Sequence, residues 1–159
     1  MNFELKLLII SDTHRRIDNA EDLIRRIKPD YVLHLGDVCE DCVNLQKMFQ
    51  NQVIISVMGN NDYPERYPDI PYERVFTLGK KKFFMCHGHK YGVKLGLERL
   101  ALRAEELGAD IALYGHTHFK YLDISDEMII LNPGSVRSYG VIEIDGENVK
   151  ARLGNYEQR

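Results

Sequence analysis

Five short polar segments interrupt this chain, SDTH at 11–14, GD at 36–37, GNND at 59–62, HGH at 87–89 and GHTH at 115–118, and each follows a stretch that reads as a β-strand. Loops placed this way gather along one edge of a sheet, so side chains from distant parts of the chain meet there. Of the six histidines only His34 lies outside these segments. Carboxylate, amide and imidazole donors converging at a sheet edge predict an open site for two metal ions.

The apolar pattern between the segments defines the expected frame. Leu5 to Ser11, Tyr31 to Leu35, Val53 to Met58 and Ile111 to Tyr114 read as strands, and Val75 to Leu78 with Lys82 to Cys86 read as a hairpin about a Gly-Lys turn. Ile17, Ala20, Leu23, Ile24 and Ile27 recur at helical spacing before Pro29, as do Leu97, Leu100, Ala101, Ala104 and Leu107 before Gly108. A polar helix is expected near 40–50, and Asp62 to Tyr72, with Pro64, Pro68 and Pro71, reads as a stiff loop. Alternating strands and helices over the first two-thirds predict an α/β domain with a largely parallel sheet. Beyond GHTH, Lys120 to Ile124, Met128 to Leu131, Tyr139 to Ile144 and Val149 to Leu153 come without helices, predicting a second, mainly antiparallel sheet packed on the first. A single domain over 1–159 is expected, and at that length folding buries roughly 70% of the chain's surface, enough for a real core.

Charge and cysteine usage exclude several classes. A net charge of −3 provides no broad positive field for a polyanionic backbone, so stable nucleic-acid binding is not expected. Lys80 to Lys82 and Arg25-Arg26 read as solvated charges, whereas Arg15-Arg16 directly follows His14. Three cysteines do not make a disulfide framework, and Cys39, Cys42 and Cys86 read as ordinary reduced thiols. With no secretory leader and no stretch of the roughly 20 apolar residues a membrane span needs, a cytoplasmic protein without membrane association is expected.

Asp12 with His14, and His116 with His118, are spaced two residues apart. In an extended segment such pairs point the same way and form chelating arms. The flanking Gly36, Gly59, Gly88 and Gly115 permit sharp turns and close backbone approach. Two carboxylates, an amide oxygen and several imidazoles suit manganese, iron, nickel, cobalt or catalytic zinc better than magnesium, calcium or structural zinc. A pair of such ions would attract a phosphate and lower the pKa of a bound water.

In this order, SDTH, GD, GNND, HGH and GHTH resemble the motifs of the calcineurin-like metallophosphoesterase superfamily, and the length and closing NPGS (132–135) resemble its small prokaryotic phosphodiesterase branch. The resemblance runs from about Leu7 to Ser135. It implies a four-layer α/β/β/α sandwich of two mixed sheets flanked by helices, with a dinuclear centre of divalent transition metals, manganese or nickel favoured. By motif position, Asp12, His14 and His118 would hold one ion, Asn60, His87 and His116 the other, and Asp37 would bridge them. His89 would then touch the substrate or support the ligands, and the implied chemistry is in-line attack of a metal-activated hydroxide on a phosphoryl group.

One position departs from the superfamily's commonest pattern. Asn61 stands where a histidine usually follows the asparagine of the GN motif. That histidine is generally assigned the stabilisation of charge or protonation of the leaving group, and an amide cannot donate a proton as an acid does. Small family members that lack it resemble phosphodiesterases, so a small phosphodiester substrate is expected. The alternatives are a phosphomonoesterase or nucleotide hydrolase and, from another class, a protein-binding scaffold like the retromer subunit of the same fold. Arg15, Arg16 and Arg137 are candidates for phosphate contacts, the NPGS turn for orienting Asp12, and His34 for a core or supporting position. Relatives are often dimers or tetramers, so a homo-oligomer is a further expectation.

Overall fold

Residues 4–157 are described by a computed structural model. The extreme ends of the expected domain, 1–3 and 158–159, lie outside the described residues. Ten strands and three α-helices follow in the order β1 (Leu5–Ile10), α1 (Asp18–Ile27), β2 (Tyr31–His34), α2 (Glu40–Met48), β3 (Val53–Ser56), β4 (Glu73–Leu78), β5 (Lys81–Cys86), α3 (Glu98–Glu106), β6 (Ile111–Leu113), β7 (Tyr121–Ile124), β8 (Ile129–Asn132), β9 (Ser138–Asp145) and β10 (Asn148–Asn155), with a 3-10 turn at His89–Tyr91 between β5 and α3. The strands form two five-stranded sheets, ordered β10-β9-β1-β2-β3 and β4-β5-β6-β8-β7.

Three apolar clusters define four layers. Leu7, Ile9, Leu33 and Ile142 of the first sheet meet Phe83, Met85, Ile111, Leu113 and Leu131 of the second, so the sheets pack face to face. On the outer face of the first sheet, Leu8, Ile10 and Val32 pack with Ala20, Leu23 and Ile24 of α1 and Leu45 of α2. On the outer face of the second, Phe84 and Ala112 cover Leu100 and Ala104 of α3. This is the expected α/β/β/α sandwich of two mixed sheets.

The division of strands between the sheets differs from the expectation. β7 and β8 join β4, β5 and β6, while the β9–β10 hairpin returns to the first sheet, with β9 antiparallel to β1 from Leu5↔Ile144 to Ile9↔Gly140. The second sheet is mixed, β5, β6 and β8 being parallel. The cause is the free edge of β1: Leu7 to Ile10 are buried on both faces, and a fully buried strand must satisfy its backbone groups on both edges. Apolar alternation tells which residues of β9 are buried, not which edge they close.

Register brings the polar segments together. Ile10, His34 and Ser56 are aligned across β1, β2 and β3, and Met85, Leu113 and Leu131 across β5, β6 and β8. The ladder continues into the loops through Asp12 N–H to Gly36 O at 2.9 Å and Gly115 N–H to His87 O at 2.9 Å. The carboxyl ends of both parallel sets open on the same edge, where ligands bind in open α/β sheets.

Candidate metal centre

Asp12 lies at the middle of that edge with a fully buried side chain. Its Oδ2 accepts from Ser11 Oγ at 2.5 Å and from the His116 N–H at 3.1 Å. Oδ1 is buried and accepts no hydrogen bond, although His118 Nε2 lies 3.1 Å away and the Nε2 atoms of His14 and His87 each 3.8 Å away. Burial raises the Asp12 pKa, against the opposing pull of His87 and the Ser11 hydrogen bond. Nitrogen also faces nitrogen, at 3.3 Å between His14 and His118 Nε2 and at 3.2 Å between His116 Nδ1 and His87 Nε2. A bare carboxylate oxygen and converging imidazole nitrogens have the chemistry of a divalent metal site.

Ligand atoms of Asp12, His14 and His118 lie within 4.8 Å of one another, as do those of Asp12, Asp37 and His87. Asp12 is the carboxylate common to both groups. His87, fully buried, has Nδ1 within 2.6 Å of the Leu35 carbonyl. An N–H donated there fixes the tautomer and turns Nε2 toward the cluster. Burial acts to lower its pKa, but the hydrogen bond to Asp37 and the two carboxylate charges raise it overall. His116 goes the other way, down to about 4, because burial and the neighbouring His87 disfavour a second imidazolium.

The arms are built differently from the extended segments expected. Asp12, His14, Asp37, His116 and His118 have φ of 53, 45, 53, 70 and 67°, the left-handed region that non-glycine residues rarely adopt and that clusters at functional sites. Alternation along a strand therefore does not align these pairs. Tight left-handed turns do so, with backbone bonds such as His14 N–H to Asp37 O at 3.3 Å holding them. A Cβ at Gly59 would collide with Asp37 Oδ1, and one at Gly115 with Ser11 Oγ, so close approach requires glycine at both positions.

The GNND segment is used asymmetrically. Asn60 and Asn61 are both exposed, and Asn61 donates its backbone N–H to Asp37 Oδ1 at 3.0 Å and its side-chain amide to Oδ2 at 2.8 Å. Burial acts to raise the Asp37 pKa, but His87 and the two Asn61 donors hold it well below the usual carboxylate range. Asp62 ties the loops beneath by accepting from the N–H groups of Asp37 at 3.1 Å, Gly59 at 2.8 Å and Cys39 at 2.9 Å.

A second buried chain was not legible as a unit. The Gly36 N–H donates to His34 Nδ1 at 3.0 Å, so Nε2 carries the proton toward Thr13 Oγ1 at 2.9 Å, and the Thr13 hydroxyl donates to Asp41, which also accepts the Arg15 N–H at 2.8 Å. It clamps the SDTH turn to the GD turn from below. The sequence signal was a histidine inside an apolar strand; nothing pointed to Asp41. Ser135 of NPGS donates to the Asp12 carbonyl at 3.0 Å, and Asn132 reaches Gly115 O at 3.2 Å and Thr117 Oγ1 at 2.9 Å.

His89 lies on the 3-10 turn, its ring 5.5 Å from His87, 6.0 Å from His116 and 5.9 Å from Tyr72. Its Nδ1 is buried and unpaired, and burial together with His87 lowers its pKa. Cys39, Cys42 and Cys86 are buried free thiols, and burial pushes their pKa values up, to about 12 for Cys39, away from the thiolate form that redox or metal chemistry uses. Among the described residues no helix is long and apolar enough to cross a membrane.

Known proteins share this arrangement of elements. A phosphodiesterase of Methanocaldococcus jannaschii is 29% identical over 149 residues, spanning 85% of this chain and 86% of that protein. The solved structure of a conserved uncharacterized protein from Streptococcus pneumoniae TIGR4, described there as a predicted phosphoesterase, has a TM-score of 0.79 at 28% identity and covers 96% of this chain and 90% of that one. Vacuolar protein sorting 29 of Cryptosporidium parvum, at 21% identity, shares the fold with a TM-score of 0.78 over 99% of this chain and 100% of that one. The family model for the calcineurin-like phosphoesterase superfamily domain matches residues 5–145, the span that carries all five polar segments, and the chain belongs to that superfamily.

Proposed function

We propose that the chain is a metal-dependent phosphodiesterase acting on small diesters at a dinuclear centre in the cytoplasm. The observation that carries the reading is the bare, buried Asp12 Oδ1 ringed by three imidazole nitrogens. Asp12, His14 and His118 would hold one divalent ion and Asn60, His87 and His116 the other, with Asp37 between them; manganese or nickel fits this donor set. Such ions supply Lewis-acid polarisation of a phosphoryl oxygen and a water of lowered pKa.

The chain's own residues set the conditions for that chemistry. Leu35 O holds His87 in one tautomer, Ser135 and Ser11 fix Asp12, and Asp62 locks the GD turn to the GN turn. Asn61 donates to Asp37 from its backbone N–H and its side-chain amide, and an amide cannot act as the acid that would protonate a leaving group there. Diesters with good leaving groups are favoured, and those with poor ones suffer most. His89, whose ring lies 5.5 Å from that of His87 and 6.0 Å from that of His116, is assigned a contact to the substrate.

The name of the Methanocaldococcus relative supports diesters over monoesters. The likeness to vacuolar protein sorting 29 keeps a scaffold in view, but all seven ligand positions here carry competent donors, which a scaffold does not require. The test is Asp37→Asn assayed for bound metal and for hydrolysis of an aryl diester. Both are expected to fall sharply; full activity of the variant in a metal-replete assay would refute the role given to Asp37.

A further inference from the structure

A cavity of about 450 Å³ adjoins the proposed catalytic centre, with Arg15, Arg16 and Arg137 in its wall and Asp18 as the one carboxylate lining it. It is connected to the centre through the chain on two sides. Arg15 directly follows His14, and Arg137 lies two residues beyond Ser135, whose hydroxyl holds the Asp12 carbonyl. A second hollow of about 460 Å³, lined by His118, Phe119 and Lys120, shares Val136 and Arg137 with the first. The two hollows thus adjoin at Val136 and Arg137, and the second is lined by a metal-ligand candidate, His118.

The three guanidinium groups stand apart from most of their kind in this molecule. Arg25 is paired with Glu21, Arg26 with Asp22, Arg66 with Glu40 and Arg103 with Glu106. Among the described residues the side chains of Arg15, Arg16 and Arg137 have no hydrogen-bond or ion-pair partner. The wall behind them is fixed: Asn19 donates to Val136 O at 3.0 Å and the Tyr156 N–H to Arg137 O at 2.7 Å. Three cations against one carboxylate leave an excess of two positive charges, the complement of a phosphate monoester, which guanidinium groups bind bidentately. Phe119, 78% exposed beside His118, offers a face on which an aromatic base can stack.

We propose that this cavity binds a second, terminal phosphate carried on one arm of the diester. The substrate class is then a short nucleotide diester with a phosphate monoester at its end, the scissile phosphate at the centre and a base against Phe119. One water is consumed: its oxygen bonds to phosphorus, the bond from phosphorus to one flanking sugar oxygen breaks, and that oxygen takes a proton. The proposal rests on the phosphodiesterase reading, and its first test does not depend on bound metal.

Calorimetric titration of the metal-free protein with adenosine 5′-monophosphate and with adenosine reads the cavity alone. The monophosphate is expected to bind and adenosine to bind at least ~10-fold more weakly, the scale of one charge-assisted hydrogen bond. Arg16→Ala and Arg137→Ala should abolish the difference, and Asp37→Asn should keep it. In the metal-loaded enzyme, kcat/KM for a 5′-phosphorylated dinucleotide should exceed that of the unphosphorylated one, the ratio collapsing in Arg137→Ala. A ratio near one in the wild type, or monophosphate binding that needs metal and ignores the arginine substitutions, overturns the proposal. Failure to hydrolyse any diester, with monophosphate binding intact in the metal-free protein, would count against the catalytic reading and not against the cavity.

Discussion

The position of single atoms decides the chemistry proposed here. Asp37 is held by two donors from Asn61, and truncating the residue to alanine keeps the backbone bond and removes the side-chain one. Loss of such a supporting hydrogen bond typically weakens metal binding by about 10-fold to 100-fold, which is the expected drop in manganese affinity of Asn61→Ala by competition with a chelating dye. Unchanged affinity would show that the amide does not support the ligand. His34 sets a pH limit. Burial lowers its pKa from 6.5 to about 4, so between those values the unfolded chain binds a proton that the folded protein does not. Stability therefore rises with pH through that window, is fully present above 6.5 and is lost as pH falls toward 4, by on the order of 3 kcal/mol. Urea unfolding of the metal-free protein at pH values at the two ends of the window should show this loss in the wild type and a smaller one in His34→Asn; equal losses would contradict the assignment.

At the level of elements, buried apolar residues and polar loop residues carry separable functions. Leu100 of α3 is fully buried against the outer face of the second sheet, and Leu100→Ala is expected to cost about 2–5 kcal/mol while leaving metal content per folded molecule unchanged. Asp62→Ala should do more to the centre, because it frees the amides that join the loop after β2 to the loop after β3. Reduced metal content at a smaller stability loss than Leu100→Ala is the outcome expected from paired metal analysis and denaturation. Elements of this kind were legible where local rules suffice: the apolar stripe of α1, ending before Pro29, and the β4–β5 hairpin both follow from spacing and turn residues. Sheet membership was not legible. The pairing of β9 with β1 joins residues more than a hundred positions apart, and no local signal specifies which free edge a strand will close.

The whole molecule explains why so much of the site could be read from the chain. Two sets of parallel strands open on one edge, so every loop carrying Asp12, His14, Asp37, His87, His116 or His118 arrives at the same place. The residues that support them were harder to see. Asp41 belongs to a helix and Asp62 to a turn, and either would pass for a solvated carboxylate until the fold buries it beneath the ligands. The left-handed turns at Asp12 and His116 are equally a product of the assembled loops, since both residues are held by partners far along the chain. The most direct test of the central claim is the ratio of turnover of bis(p-nitrophenyl) phosphate to p-nitrophenyl phosphate by manganese-loaded protein, repeated in chelator. The account predicts that the diester is hydrolysed well above the monoester and that chelator abolishes both. Preference for the monoester, or diester turnover that persists after the metal is removed, would contradict it.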